Sequence, residues 1–175
     1  MEFTAGFRLD GGGTFVAPPP PPPPIYLWGW GYNFYGQLGV GNTTNRSSPA
    51  QVGSLTTWSS ISASPNGDHT MAIKTDGTMW GWGYGDQGQL GLNSNVYSIS
   101  SPVQVGALTT WLTVSAGGYH TCAIKTDGTL WSWGRNKYGA LGLSNTTYYS
   151  SPKQIGTLTT WLNVSAGNYY TMAIG

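Results

Sequence analysis

The chain has 175 residues, a formal net charge of +1, and only 7% charged side chains against 14% aromatic ones. That balance excludes charge-driven disorder, and seven scattered Lys and Arg cannot form a phosphate-binding stripe. A single cysteine excludes an intramolecular disulfide framework, and no run approaches the roughly 18 apolar residues of a membrane span. The opening MEFTAGFRLDGGG lacks the basic-then-apolar order of a secretory leader. The expectation is a soluble, neutral, β-type chain with no nucleic-acid partner and no membrane insertion.

Residues 1–17 place Phe3, Phe7 and Phe15 among small and polar residues, with a flexible break at Gly11, Gly12 and Gly13. This segment is read as an arm that anchors the body to another protein. Pro18–Pro24 form an unbroken run of seven. Such a run adopts a polyproline II rod rising about 3.1 Å per residue, a spacer of roughly 20 Å.

From residue 25 onward the chain repeats itself. Trp28 recurs at Trp80 and Trp131, Pro49 at Pro102 and Pro152, and Trp58 at Trp111 and Trp161. LTTW stands at 55–58, 108–111 and 158–161, and KTDGT at 74–78 and 125–129. Such periods signal stacked or ring-arranged units. The three copies divide near 25–78, 79–129 and 130–175.

Within a copy the hydrophobic period is two. In HTMAIK (69–74), Met71 and Ile73 alternate with Thr70, Ala72 and Lys74. Asp76-Gly77 then supplies a strong short-range hairpin signal. The return strand MWGWG puts Trp80 and Trp82 on one face and Gly81 and Gly83 on the other, where another layer can approach closely. LTTWLTVSAG (108–117) adds further strand material. About four short strands per copy, at this period, predict β-propeller-type blades in an all-β fold.

WGWGYNFYGQLG (28–39), WGWGYGDQGQLG (80–91), WSWGRNKYGALG (131–142) and VSAGGYHTCAIKTDGTLWSWG (114–134) resemble the repeat of the regulator-of-chromosome-condensation family. The resemblance covers about 150 of the 175 residues. It implies a β-propeller, commonly of seven blades, and leaves function open. The guanine-nucleotide exchange of the founding member would need a complete propeller with an inserted wedge and basic tails, which three repeats do not supply. The plant ultraviolet-receptor branch carries clustered Trp in G-W-R-H-T elements. Here the matching strings are NGDHT, GGYHT and GNYYT, without Trp or Arg at those positions.

The first copy opens on the second half of the Asp-Gly hairpin, with Tyr26, Trp28 and Trp30. The last stops on the first half, with Tyr170, Met172 and Ile174. These segments are complementary. They predict closure by oligomerisation, two chains in a head-to-tail dimer making a six-bladed ring, unless the residues belong to a longer chain.

No catalytic set survives the comparison of copies. His69 and His120 share a register with Tyr170, and Cys122 shares one with Met71 and Met172, so all read as structural. Asp76 and Asp127 form turns. Gly83–Gly88 matches a dinucleotide fingerprint on paper, but no helix pattern follows it and the other copies break it. Neither catalytic residues nor a cofactor or metal is expected. Four Asn-x-Ser/Thr sequons, at Asn42, Asn45, Asn145 and Asn163, match what so Ser-, Thr- and Asn-rich a chain gives by chance.

The copies diverge most in the loops after each Leu-Gly, at 40–49, 92–102 and 143–152, and in a two-residue insertion at Pro65-Asn66-Gly67. Asn42, Arg46, Asn66, Tyr97, Tyr148 and Tyr149 are therefore the candidate binding residues, since Tyr gives rigid contact area and Asn adaptable hydrogen bonds. The reading is a non-enzymatic structural or interaction protein, docked by its arm and displayed outward. Its composition is similar to decoration or tail-associated proteins on bacteriophage virions, which places it at a virion surface or outside the cell. The alternative is a carbohydrate- or receptor-binding module using the Tyr, Asn and Ser loops on a surface glycan. A small-GTPase scaffold ranks third.

Overall fold

The computed structural model describes residues 8–9, 15–16, 23–66 and 68–175, and the described residues form only strands, turns and loops. In the arm, β1 (Arg8–Leu9) pairs antiparallel with β2 (Phe15–Val16). Phe3, Phe7, Pro18–Pro22 and Gly67 lie outside the described residues.

The repeat body forms two complete blades flanked by two half-blades. The leading half-blade is β3 (Trp28–Gly31) with β4 (Arg46–Gln51). The first complete blade runs β5 (Trp58–Ala63), β6 (His69–Lys74), β7 (Met79–Gly85) and β8 (Val96–Gln104). The second runs β9 (Trp111–Ala116), β10 (His120–Lys125), β11 (Leu130–Gly134) and β12 (Tyr149–Gln154). The trailing half-blade is β13 (Asn163–Ala166) with β14 (Thr171–Ile174). All ladders are antiparallel meanders in chain order. The sheets straddle the sequence copies, because the Asp-Gly hairpin joins the end of one copy to the start of the next.

The first strands β5, β9 and β13 neighbour one another, so they are the innermost strands of the fan. Ala116 N donates to Ser62 Oγ, and Ala166 N to Ser115 Oγ, both at 2.9 Å. These bonds step from each inner strand to the next. The second strands are buried on both faces: Met71 and Ile73 on one, Thr70 and Ala72 on the other. Packing between blades therefore supplies the core. Met71, Ile73, Met79, Leu90 and Val105 meet Trp111, Ala116, Ala123 and Trp133 at the first joint. Cys122, Ile124 and Leu130 meet Val164 and Ala166 at the second.

The repeated strings are the parts of this joint. Asp76 Oδ1 accepts from Thr78 N at 2.9 Å and from Thr78 Oγ1 at 2.6 Å, while Trp80 Nε1 donates to the same hydroxyl at 2.9 Å. Asp127, Thr129 and Trp131 repeat the arrangement. These hydrogen bonds hold both carboxyls below the ordinary aspartate range. The hairpin then grips the next blade: Trp111 N donates to Gly77 O at 3.1 Å, and Trp161 N to Gly128 O at 3.2 Å. Gly77 has φ +76°, and a Cβ there would collide with Thr109 O, so the turn accepts no side chain.

At the other end of each joint one loop carbonyl collects two donors. Gln37 O accepts from Thr70 Oγ1 at 2.9 Å and Trp82 Nε1 at 2.8 Å. Gln89 O accepts from Thr121 Oγ1 at 2.8 Å and Trp133 Nε1 at 2.9 Å. With its hydrogen committed to Gln89 O, Thr121 Oγ1 can only accept from His69 Nε2, 3.1 Å away. The same logic orders His120 Nε2, Thr171 Oγ1 and Ala140 O, at 2.9 and 2.8 Å. Burial drives His69 down to about pKa 3, with the neighbouring His120 adding to the shift, and burial drives His120 to about 4. Both histidines are neutral bridges from one blade to the next, not contacts within a blade.

Candidate interaction surface

Strand direction sorts the loops. The ends of β5 and β7 and the starts of β6 and β8 lie at one rim of the fan. There the turn around 64–68 and the long connection 86–95 emerge. The Asp-Gly hairpins and the connections at 105–110 emerge at the opposite rim. The Asp-Gly rim repeats its sequence from copy to copy; the other keeps the joint carbonyls Gln37 O and Gln89 O but varies in the loops around them.

All six candidate binding residues lie on the variable rim. Tyr97 is exposed, and its ring lies 5.9 Å from Tyr35 and 5.6 Å from Tyr84. Tyr148 is exposed and hydrogen-bonds Arg135, the first cause of that guanidinium's upward shift. Tyr149 is half-buried, with Lys153 Nζ 5.5 Å from its ring. Asn66 is exposed in the Pro65–Asn66 turn and donates to Asn168 Oδ1 at 3.0 Å. Asn42 and Arg46 serve their own loop more than they offer contacts. Asn42 Oδ1 accepts from Thr44 N at 3.0 Å, and Arg46 is half-buried opposite Gly31.

The structure gathers further aromatics that the loop comparison missed. Phe34, Tyr35 and Tyr84 join Tyr97 where the leading half-blade meets the first complete blade. Where the second complete blade meets the trailing half-blade, Tyr119 stacks on Tyr169 at 5.8 Å and Tyr138 packs edge-on to Tyr169 at 5.6 Å. Arg135 lies 5.2 Å from the Tyr119 ring and Lys137 5.3 Å from the Tyr138 ring. The signal was present in register. Tyr32, Tyr84 and Arg135 occupy one repeat position; Phe34, Asp86 and Lys137 another; Asp68, Tyr119 and Tyr169 a third. Chemistry changes at these positions while the flanking Trp and Gly do not.

The two clusters differ electrically. In the first, burial and then hydrogen bonding to Asp86 push the Tyr84 phenol well above its ordinary range. The second carries Arg135 and Lys137.

Among the described residues, no three His, Cys, Asp or Glu side chains gather to hold a metal, and no helix is long and apolar enough to cross a membrane. The Cys122 thiol is fully buried, and burial raises it to about pKa 11 against the smaller opposing effect of its hydrogen bond with Thr171.

The regulator of chromosome condensation (RCC1) repeat profile matches residues 26–73, 76–124 and 127–174, and a second profile of the same description matches 58–89 and 112–140. The chain belongs to the RCC1 repeat family. It is 33% identical over 121 residues to the ultraviolet-B receptor UVR8 of Arabidopsis thaliana, covering 68% of this chain and 27% of that protein. It is 35% identical over 121 residues to human HERC6, a probable E3 ubiquitin-protein ligase, covering 67% of this chain and 12% of that one. Among solved structures, yeast RCC1 (Prp20) bound to Kap60 superposes with a TM-score of 0.70 at 20% identity, over 84% of this chain and 37% of that chain. Prp20p from Saccharomyces cerevisiae, in a study that also covers its binding to Gsp1p and histones, superposes at 0.71 and 20% identity, over 95% and 40%. These superpositions establish the propeller-type fold. The chain spans well under half the length of each relative.

Proposed function

We propose that this RCC1 repeat body is a non-enzymatic protein-interaction module, displayed from a larger assembly by its N-terminal arm, with the variable rim as its contact surface. One observation carries the reading. The differences between copies collect at one rim, as exposed tyrosines and adaptable Asn, Ser and Thr loops, while the opposite rim repeats its joint-forming turns. The partners named for yeast relatives, Kap60, Gsp1p and histones, make protein surfaces the natural class of ligand.

The finer proposal is display on a virion, as a decoration or tail-associated protein of a bacteriophage. The low charge, the arm and the seven-proline spacer support it. Mass spectrometry of purified particles is expected to detect the chain, and deletion of residues 1–17 to release it without changing the circular dichroism of the repeat body. Absence from particles overturns the virion assignment and leaves the interaction module standing.

A second reading is favoured by the exposed Tyr97 and Tyr148, whose rings offer stacking platforms to sugars. On a glycan array, binding that Tyr148→Ala and Tyr149→Ala abolish would select this reading; no binding to any glycan would remove it.

A further inference from the structure

The groove between the two complete blades departs from its counterparts in the other copies. It encloses about 530 Å³, within the usual size of a ligand site, and its wall is largely apolar, with Leu92, Val103, Val105, Leu108, Trp111 and Trp131. Each copy sets a glutamine and a tryptophan at this place: Gln51 with Trp58, Gln104 with Trp111, and Gln154 with Trp161. Gln51 Nε2 donates to Gly53 O at 2.9 Å and Gln154 Nε2 to Gly156 O at 3.2 Å. Among the described residues, Gln104 Nε2, also on the groove wall, has no acceptor. Trp58 Nε1 donates to Leu55 O at 3.1 Å, whereas Trp111 Nε1 is buried without an acceptor, on a side chain 3% exposed. Trp161 Nε1 is unpartnered too, but the Gln154 amide of its copy is bonded. Among the described residues, the second copy alone leaves both donors uncommitted.

The Trp111 N–H is turned toward the groove. In the first copy the same indole points at Leu55 O, and Leu108, the counterpart of Leu55, forms part of the groove wall. An apolar groove with two free N–H donors calls for a ligand with apolar surface, carbonyl acceptors and no N–H of its own to bury. A polyproline II segment meets all three conditions, since proline lacks the amide hydrogen and the helix leaves its carbonyls unpaired. Its fixed φ also lowers the cost of ordering, which is why aromatic-lined grooves take such segments. The chain carries seven consecutive prolines, Pro18–Pro24. They join the body at Ile25, which holds the repeat position of Gly77 and Gly128 in the Asp-Gly hairpins. Leu27 O accepts from Val52 N as Met79 O accepts from Val105 N. The run therefore enters at the rim where Val105, Leu108 and Trp111 line the groove.

We propose that the groove between the two complete blades is a polyproline II site, and that its occupant is the chain's own run, Pro18–Pro24. The reach suffices. Seven residues of this helix span roughly 20 Å, and packed sheets stand about 10 Å apart. A rod that starts on the leading half-blade therefore crosses the first complete blade to the groove behind it. Pro23 and Pro24 are exposed where the run meets the body, so the prolines furthest from Ile25 are the ones that seat. Their carbonyls accept from Trp111 Nε1 and Gln104 Nε2, and their rings pack on Trp131, Leu92 and Leu108. The run stays a rod, held along the Asp-Gly rim, and the variable rim is left free. The docking is independent of the contact surface and the display proposed above.

Calorimetric titration with a synthetic heptaproline peptide tests it. The receptor is the 175-residue chain in which every proline from Pro18→Ser to Pro24→Ser is substituted, which empties the groove and keeps the length. The peptide is expected to bind this chain, and to bind the unaltered chain at least about tenfold more weakly, because the tethered run competes at a high effective concentration. Trp111→Phe, added to the substituted chain, keeps a ring and deletes the donor, and is expected to weaken binding about fivefold. Gln104→Leu removes the second donor at a less buried position and is expected to weaken binding as well, so it serves if Trp111→Phe fails to fold. No binding to the serine-substituted chain overturns the proposal. Equal affinity for the two chains overturns the run as occupant, and binding that neither Trp111→Phe nor Gln104→Leu weakens overturns the groove as the site.

Discussion

The closed joints and the open edge of this molecule are built from the same residues in different company. At the joint between the two complete blades Trp133 is fully buried, touches Trp111 at 5.9 Å between ring centroids, and donates to Gln89 O. At the open edge Trp30 stands in the same W-x-W-G string but lies exposed. The difference teaches that a blade's core is made between sheets. A W-x-W-G strand is a core element only when a second blade stands behind it.

The largest expected effect breaks that contrast directly. Trp133→Ala removes a fully buried indole and its hydrogen bond, and is expected to cost about 3–5 kcal/mol in urea unfolding. Trp30→Ala, measured where the chain is monomeric, is expected to change stability by less than about 0.5 kcal/mol. Similar losses for both would mean that the edge is buried in the lone chain.

Next come the glycines. Gly134→Ala and Gly31→Ala share the strain of a positive φ, about 1–2 kcal/mol for a residue with a Cβ. Only Gly134 also drives its Cβ to 2.7 Å from Tyr119 O. Thermal unfolding should therefore fall several degrees further for Gly134→Ala than for Gly31→Ala; equal shifts would remove the steric distinction.

The histidine bridges give a smaller, pH-dependent effect. His69 and His120 titrate at about 3 and 4 in the folded chain, below their value near 6.5 when unfolded. The unfolded chain thus binds more protons between these values. Their contribution is complete above pH 6.5 and is lost as pH falls toward 4 and then 3. The urea midpoint should drop between pH 7 and pH 4.5, and the double variant His69→Gln, His120→Gln should flatten that drop. An unchanged slope would place the titrating groups elsewhere.

Smallest of all is Asn66→Ala. Its bond to Asn168 is exposed, so a change within about 0.5 kcal/mol is expected from thermal melts. A larger loss would show that the two rim turns are coupled.

Much of this was legible in the sequence. The Asp-Gly turns, the alternating strands and the buried roles of His69, His120 and Cys122 follow from comparing one copy with the next. A position that accepts His and Tyr, or Cys and Met, is defined by packing more than by reactivity. The variable rim was only half legible. Tyr97 and Tyr148 stand in visibly divergent loops, whereas Tyr35, Tyr84, Tyr119 and Tyr169 sit beside repeated Gly and Thr and meet only when neighbouring blades bring them together.

The sequence by itself determined the repeat, the hairpin chemistry and the β fold, because period-two burial and turn residues act over a few positions. Tertiary structure decided which carbonyl each tryptophan finds, which aromatic side chains of the divergent rim come together, and where the sheets begin relative to the copies. Those outcomes depend on contacts between residues 45 and 52 positions apart, such as Trp82 with Gln37 and Thr121 with His69. Local preference does not encode contacts at that range; packing of one blade against the next selects them.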